Sequence, residues 1–412
     1  MTRRGTITGL DIGSTKVCAI VGEVDEDGEV HIIGAGTVPS QGLRRGVVVD
    51  LDSTARAIEQ AVDHAERMAG ASVNAVLVSV SGEHIASSDS RGVVAVARGD
   101  HEIGDADVAR VIDAARMAAL PTSDREIIHM LPRDFVVDGQ DGVKRPVGMY
   151  GTRLEVEAHI VTGVATALAN VAKCVQKAGL EVEEMVLGSL ASAEAVLTTA
   201  ERDLGAVVVD VGGGTTSVGI FANGGLCHVA ILPVAGTHLT NDIAVGMRTP
   251  MAEAEKLKVR WGAASPGVVS EGEMIEVFNV SGQPPRVMPR RVLAEFIEPR
   301  LDEIFSLIQS QIRRSGYIHR IPAGVVLTGG TAMLEGLVEY AEGRLGLPAR
   351  LGAPDRLAGL VETVRTPAFS TGVGLVLYGA RTRGGAGLAH RDGPGSFWER
   401  TRAWVRDLLQ GA

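Results

Sequence analysis

Leu10-Asp11-Ile12-Gly13-Ser14-Thr15-Lys16-Val17-Cys18-Ala19-Ile20-Val21 and Val209-Asp210-Val211-Gly212-Gly213-Gly214-Thr215-Thr216-Ser217-Val218-Gly219-Ile220 are two copies of one pattern. Each is an apolar strand ending in Asp, then glycine and hydroxyl residues, then a second apolar run. A turn follows each copy. Asp27-Gly28 separates Val17–Val24 from Val30–Val38, and Asn223-Gly224-Gly225 separates Ser217–Phe221 from Leu226–Val234. Both are hairpin signatures. The repeat predicts two related β-rich α/β halves. A Rossmann or Walker loop opens a helix, whereas these glycine loops lie between strands of a hairpin. No GxxxxGK stretch exists anywhere in the chain.

Helical spacing predicts helices over Leu51–Met68, Ile103–Ala119, Thr166–Ala178, Ser189–Thr199, Ala252–Trp261 and Val292–Arg314. In the second of these, Val108, Val111, Ile112, Ala115 and Met117 are the expected buried positions. A third glycine site, Val325-Val326-Leu327-Thr328-Gly329-Gly330-Thr331, ends a strand and is expected to open a helix, which suits close approach of a ligand.

The 412 residues carry 40 basic and 50 acidic side chains, a net charge of −10. That balance argues against nucleic acid as the main partner, since no basic surplus exists to neutralise phosphates. Cys18, Cys174 and Cys227 are far apart, form no metal-ligand spacing, and read as buried thiols in a reducing compartment. Arg3 and Arg4 are not followed by an apolar h-region, so no secretory signal is expected. The longest stretch free of charge, Val211–Asn241, is too rich in glycine for a membrane helix.

Successive N–H groups of a glycine-rich turn form an anion nest. Gly13, Gly212, Gly213 and Gly214 supply such turns. Ser14, Thr15, Thr215 and Thr216 add hydroxyl donors and Lys16 a positive charge. Two such hairpins face to face would clamp a polyphosphate, as in ATP. Asp11 and Asp210 would hold a hydrated Mg²⁺, which favours a few carboxylates plus substrate phosphates.

Two Asp-Gly hairpins and a late Thr-Gly-Gly site resemble the actin/heat-shock chaperone/sugar-kinase ATPase superfamily. The resemblance makes them two phosphate motifs and an adenosine motif, with Gly236, Gly329, Gly330 and Met333 also at the nucleotide. Glu255-Lys256-Leu257-Lys258-Val259-Arg260-Trp261-Gly262 is similar to the superfamily's helix that touches ribose and adenine, implying contacts from Glu255 and Lys258. Taken alone, this segment reads rather as a solvated charged helix face. Further segments narrow the resemblance to the FtsA family of bacterial cell-division proteins: Ser79-Val80-Ser81-Gly82-Glu83-His84-Ile85, Pro146-Val147-Gly148-Met149-Tyr150-Gly151, and Gly236-Thr237-His238-Leu239-Thr240-Asn241-Asp242 leading to Arg248-Thr249-Pro250.

The resemblance covers almost the whole chain. It implies an actin-like duplicated ATPase fold of two β-rich halves, with an FtsA-type insert subdomain and a C-terminal amphipathic helix. The expected divisions are 1–84 and 161–200 for the first half, 85–160 for the insert, 201–235 and 311–380 for the second half, and 236–310 for a small subdomain. His129 and His159 of the insert are expected to be structural. In hydrolysing relatives a Glu or Gln before the second phosphate motif orients the attacking water. The matching residue here is Ser189, and Glu194 is expected to face elsewhere, so ATP hydrolysis should be slow or absent.

Glycines from Gly384 to Gly395 predict a flexible linker over 381–395, spanning roughly 20 Å. Ser396 then caps a helix whose Phe397, Trp398, Trp404, Val405, Leu408 and Leu409 gather on one face. Fourteen residues make about 21 Å, too short for a bilayer core of about 30 Å. An in-plane anchor on anionic lipid is expected. A terminal helix docked on the chain's own core is the alternative. The resemblance implies filament formation, recruitment of the division protein FtsZ through its C-terminal peptide, other division proteins at the insert, and a place on the cytoplasmic face of the inner membrane at the septum. Arg290, Arg291 and Arg300 are the candidates for the FtsZ peptide. An MreB-like filament protein and a chaperone- or sugar-kinase-type enzyme are the rival readings.

Overall fold

A computed structural model describes residues 5–97, 99–119, 124–279, 284–355 and 357–384. The repeat in the sequence is a repeat in topology. In the first half, Thr6–Ile12, Lys16–Val24 and Val30–Pro39 form an antiparallel meander, and Ala75–Val80 and Glu181–Leu187 add in parallel beyond Thr6–Ile12. In the second half, Ala206–Val211, Thr216–Ala222 and Gly225–Leu232 form the meander, and Val325–Thr328 and Ala349–Leu351 add in parallel. The match extends to register. Asp11 lies opposite Cys18 and Asp210 opposite Ser217, each seven residues along the chain.

Both sheets are covered on both faces, which is why strands such as Ala-Val-Val-Val run apolar without alternation. The outer face of the first sheet takes the helix Leu51–Ala69. Asp50 caps it, accepting from the N–H groups of Asp52 and Ser53, and Gly70 ends it in left-handed backbone at φ 62°. Ala55, Ile58, Ala61, Val62 and Ala65 recur at helical spacing and are buried. Burial of Ile58 and Val62 is worth about 1.5–3 kcal/mol each.

Between the sheets lie two helices, Gly188–Val196 and Ser370–Gly384. The first is Gly-Ser-Leu-Ala-Ser-Ala-Glu-Ala-Val, buried nearly all round, as a helix between two layers must be. Its residues share one core with Ile20, Leu77, Val208, Phe221 and Val376, so both halves contribute to that core. The helix expected over Ser189–Thr199 stops at Val196. A new one, Thr199–Leu204, starts behind a Thr198/Glu201 capping box.

The insert is a separate antiparallel sheet in the order Ile85–Ala95, Arg153–Val164, Arg125–Val137, Gln140–Val143. Helix Asp105–Ala118 packs on it, and Val108, Val111, Ile112 and Ala115 join Phe135, Leu154, Val156 and Ile160 in a core of its own. Met117 does not join them; it is 65% exposed. It lies nine residues after Val108, which at 100° per residue is the opposite face.

His129, buried in the insert, accepts the backbone N–H of Leu187 at Nε2, 2.9 Å away, and so ties insert to core. Burial holds its imidazole down to about pKa 4. Its neutral form therefore contributes stability that is full above about pH 6.5, the unfolded value, and is lost as pH falls toward 4. The expected loss is about 3 kcal/mol across that window. Urea midpoints taken between pH 7.5 and 4 would show it, and His129→Gln should flatten that part of the profile.

The small subdomain joins helices Gly236–Gly246, Met251–Trp261 and Arg290–Arg314 to a two-stranded sheet, Met274–Val277 with Arg286–Pro289. Helix Ser370–Gly384 takes in 381–384, where the composition predicted the linker to begin. The rest of that linker and the whole amphipathic segment, with Phe397, Trp398, Trp404, Val405, Leu408 and Leu409, lie outside the described residues. Among the described residues no helix is long and apolar enough to cross a membrane.

Candidate functional site

The two glycine loops meet where the halves face each other. Each is closed by the same turn: Gly13 N–H donates to the Lys16 carbonyl at 2.9 Å, and Gly212 N–H to the Thr215 carbonyl at 3.1 Å. They touch at their tips. A Cβ on Gly213 would lie 2.3 Å from Thr15 Cγ2, and one on Gly214 would lie 2.3 Å from Ser14 Oγ. Among the described residues, the N–H groups of Ser14, Thr15, Gly213 and Gly214 have no acceptor. Unpaired backbone donors at two facing tips are what an anion would satisfy.

Behind the loops stand the two carboxylates. Asp11 Oδ1 accepts from Ser79 Oγ at 2.7 Å. Asp210 Oδ2 accepts from Ser192 Oγ at 2.7 Å and Thr371 Oγ1 at 3.1 Å. Burial pushes both carboxyls above the usual range, and for Asp210 the negative charge of Asp11 adds to it. A pair of carboxylates held so at the foot of an anion nest fits a divalent cation that also binds phosphate.

The third glycine site converges on the same loop. Gly329 sits at φ 86°, and a Cβ there would lie 2.4 Å from Asp210 Oδ1. Thr331 Oγ1 donates to the Gly212 carbonyl at 2.9 Å, and Gly236 N–H donates to the same oxygen at 3.1 Å. The strand before Gly329 opens a single 3₁₀ turn, Gly330–Met333, in place of the expected α-helix. Met333 is 54% exposed at its end. Lys258 Nζ donates to the Gly236 carbonyl at 3.1 Å, to Thr240 Oγ1 at 2.9 Å and to Glu255 Oε2 at 2.7 Å. Lys258 is thus buried framework, and Glu255, half-exposed, accepts from both Lys258 and Thr240. Lys16 Nζ donates to the Ala368 carbonyl and lies 4.0 Å from the Phe369 ring centroid.

Four expectations change here. Thr216 is fully buried and donates its hydroxyl to the Val234 carbonyl at 2.6 Å, so it offers no donor to the cleft. Ser189 Oγ is buried and, among the described residues, has no partner. Its neighbour one turn on, Ser192, is the residue of that helix that reaches a carboxylate; the signal was its spacing of three from Ser189. Arg290 is buried between Glu273 and Glu335 and donates to the Trp261 carbonyl, which spends its donors internally. Arg300 is held by Asp242, at 2.7 and 3.0 Å, and by Glu303. Arg291 remains 61% exposed, 4.0 Å from Glu295. Glu194 faces elsewhere, paired with Arg202 and Arg381 at 3.0 Å each.

Comparison with known proteins gives the family and the fold. A family model described as cell division protein FtsA matches residues 207–374, and one described as the SHS2 domain inserted in FtsA matches residues 82–162. The chain is 46% identical over 408 residues to a cell division protein FtsA of Pseudomonas aeruginosa, covering 97% of each chain. It is 40% identical over 408 residues to one of Neisseria meningitidis, covering 97% of this chain and 98% of the relative. Among solved structures it resembles a PilM–PilN type IV pilus biogenesis complex, with TM-score 0.66, 18% identity, and 91% of this chain and 98% of that chain covered. It also resembles MreB5 of Spiroplasma citri bound to ADP, with TM-score 0.54, 14% identity, and 99% of each chain covered. The fold is actin-like.

Proposed function

This chain belongs to the FtsA family of cell-division proteins, and from that premise we propose that it is an ATP-binding, filament-forming tether for FtsZ. The observation that carries the nucleotide part is the pair of matching loops meeting above Asp11 and Asp210. Gly13, Ser14 and Thr15 on one side and Gly212, Gly213, Gly214 and Thr215 on the other would hold the phosphates, and Lys16, bound to the Ala368 carbonyl, would add its charge from behind them. Asp11 and Asp210 would hold Mg²⁺, whose charge offsets that of the phosphates. Gly236, Glu255, Gly329, Gly330 and Met333 would line the nucleoside. ATP acts mainly as a ligand that favours the closed, polymer-competent form. Hydrolysis is slow, because no carboxylate on helix Gly188–Val196 turns toward Asp210: Ser192 does, and Glu194 is bound to two arginines.

The tail carries the tether. Phe397, Trp398, Trp404, Val405, Leu408 and Leu409 supply an apolar face for the inner leaflet of the cytoplasmic membrane, with arginines for anionic lipid. One such helix binds weakly, and polymerisation multiplies it by avidity. FtsZ's C-terminal peptide docks on the small subdomain, where Arg291 is the most exposed of the three candidate arginines. Other division proteins dock on the insert.

Liposome co-sedimentation tests this. The full chain and a chain ending at Gly395 are mixed with anionic vesicles, ATP, Mg²⁺ and FtsZ. Only the full chain should pellet and carry FtsZ with it. If both stay in the supernatant, the tether is wrong; if the full chain pellets alone, the partner is.

A further inference from the structure

Leu43-Arg44 pairs with Val47-Val48 in a small hairpin whose turn is Arg45-Gly46. Both turn residues have positive φ, 50° and 75°. Gly46 is required there, since a Cβ would lie 1.8 Å from the Ser81 carbonyl oxygen. For an arginine the left-handed conformation costs about 1–2 kcal/mol.

The turn spans the tips of both phosphate loops. Gly46 N–H donates to Ser14 Oγ at 3.2 Å, and Arg45 Cα lies 3.4 Å from where a Cβ of Gly214 would be. The Arg45 side chain is 44% exposed, and its partner among the described residues is Glu83, at 3.3 Å and itself 45% exposed. So open a pair is weakly held. Across the cleft, His238 on helix Gly236–Gly246 has its pKa lowered by burial and then by the charges of Arg300 and Arg45.

The other cations of the site are committed. Lys16 is bound to Ala368, and Lys258 is buried against Glu255. A magnesium-bound triphosphate is still anionic, and Asp11 and Asp210 add further negative charge. Arg45 is the cation at the loop tips whose present bond is weak enough to exchange.

We propose that Arg45 binds the terminal phosphate of a nucleoside triphosphate, leaves Glu83 to do so, and thereby distinguishes triphosphate from diphosphate. This rests on the nucleotide reading above. Glu83 lies at the start of the insert matched at residues 82–162, two residues after Ser81, which packs on Gly46. Its release links the phosphate state to the insert.

The test is the affinity of the full chain for ATP and for ADP, each with Mg²⁺, by calorimetry. The unaltered chain should prefer ATP. Arg45→Ala should weaken ATP about 10-fold or more and leave ADP within about twofold, the loss expected for a charge-assisted hydrogen bond. Glu83→Gln should tighten ATP alone. Arg45→Gly, which suits the left-handed turn, keeps the test valid if the alanine variant unfolds. Equal losses for ATP and ADP, or none, would overturn the proposal. If the unaltered chain binds neither nucleotide, the nucleotide reading itself has failed; if it binds both and Arg45→Ala changes neither, only Arg45 has.

Discussion

Asp210→Asn should make the ligand-free protein more stable and, at the same time, abolish its stabilisation by Mg²⁺-ATP. In the folded chain burial raises the Asp210 carboxyl, and the nearby Asp11 raises it further. A carboxylic acid whose folded pKa is raised contributes stability below its unfolded pKa and loses it as pH rises through the folded value. Above the unfolded value the Asp210 carboxyl is therefore a cost to the fold that Asn removes. Asn keeps an oxygen to accept from Ser192 and Thr371. A rise in melting temperature is therefore expected at pH 7.5. It should shrink as pH falls and vanish only below the unfolded value of 3.8, where the carboxyl is protonated in both states. Ligand at about 100 times its dissociation constant stabilises by about 2.7 kcal/mol. Losing the metal ligand proposed at Asp210 should cost at least the roughly 100-fold in affinity that second-shell changes reach. Thermal melts with and without Mg²⁺-ATP would read both effects. A variant less stable without ligand, yet still protected by Mg²⁺-ATP, would remove Asp210 from the metal site.

Gly374→Ala should destabilise the fold severely, against the direction that helix propensity alone predicts. Gly374 lies inside helix Ser370–Gly384, where Ala is favoured over Gly by about 1 kcal/mol. A Cβ there, however, would lie 1.8 Å from the carbonyl oxygen of Ala191 and 2.4 Å from its carbon. The obstacle is the backbone of the neighbouring central helix, which no side-chain rotation relieves. Overpacking commonly costs about 1–3 kcal/mol, and a backbone clash in the core joining both halves should exceed that range. The control is Gly343→Ala in helix Leu337–Leu345, where a Cβ would meet nothing within 4 Å. That variant should gain up to about 1 kcal/mol. Urea unfolding of the two variants should therefore shift in opposite directions.

Much of this molecule is legible along the chain because its signals are local. The two Asp-Gly hairpins announce themselves through β-branched runs, turn dipeptides and their recurrence, and the folded sheets repeat them down to register. Helix Leu51–Ala69 follows from its apolar spacing and capping Asp50. The membership of the insert follows from residues such as those around Gly148.

What the chain did not disclose depends on which neighbours arrive from afar. Thr215 and Thr216 are alike in sequence, yet the strand pairing turns the second hydroxyl onto the Val234 carbonyl. Ser189 and Ser192 are equally small and polar. Only the crossing of helices Gly188–Val196 and Ser370–Gly384 brings Ser192, with Thr371, to Asp210. Arg290 and Arg291 are adjacent, but helix phase buries one among carboxylates from other segments and leaves the other in solvent. The duplicated halves, the paired glycine loops and the family are legible in the chain, because periodicity and turn chemistry act over a few residues. The tertiary structure alone decided which hydroxyls, carboxylates and arginines remain available, because a polar group's availability depends on partners brought near by packing rather than by spacing.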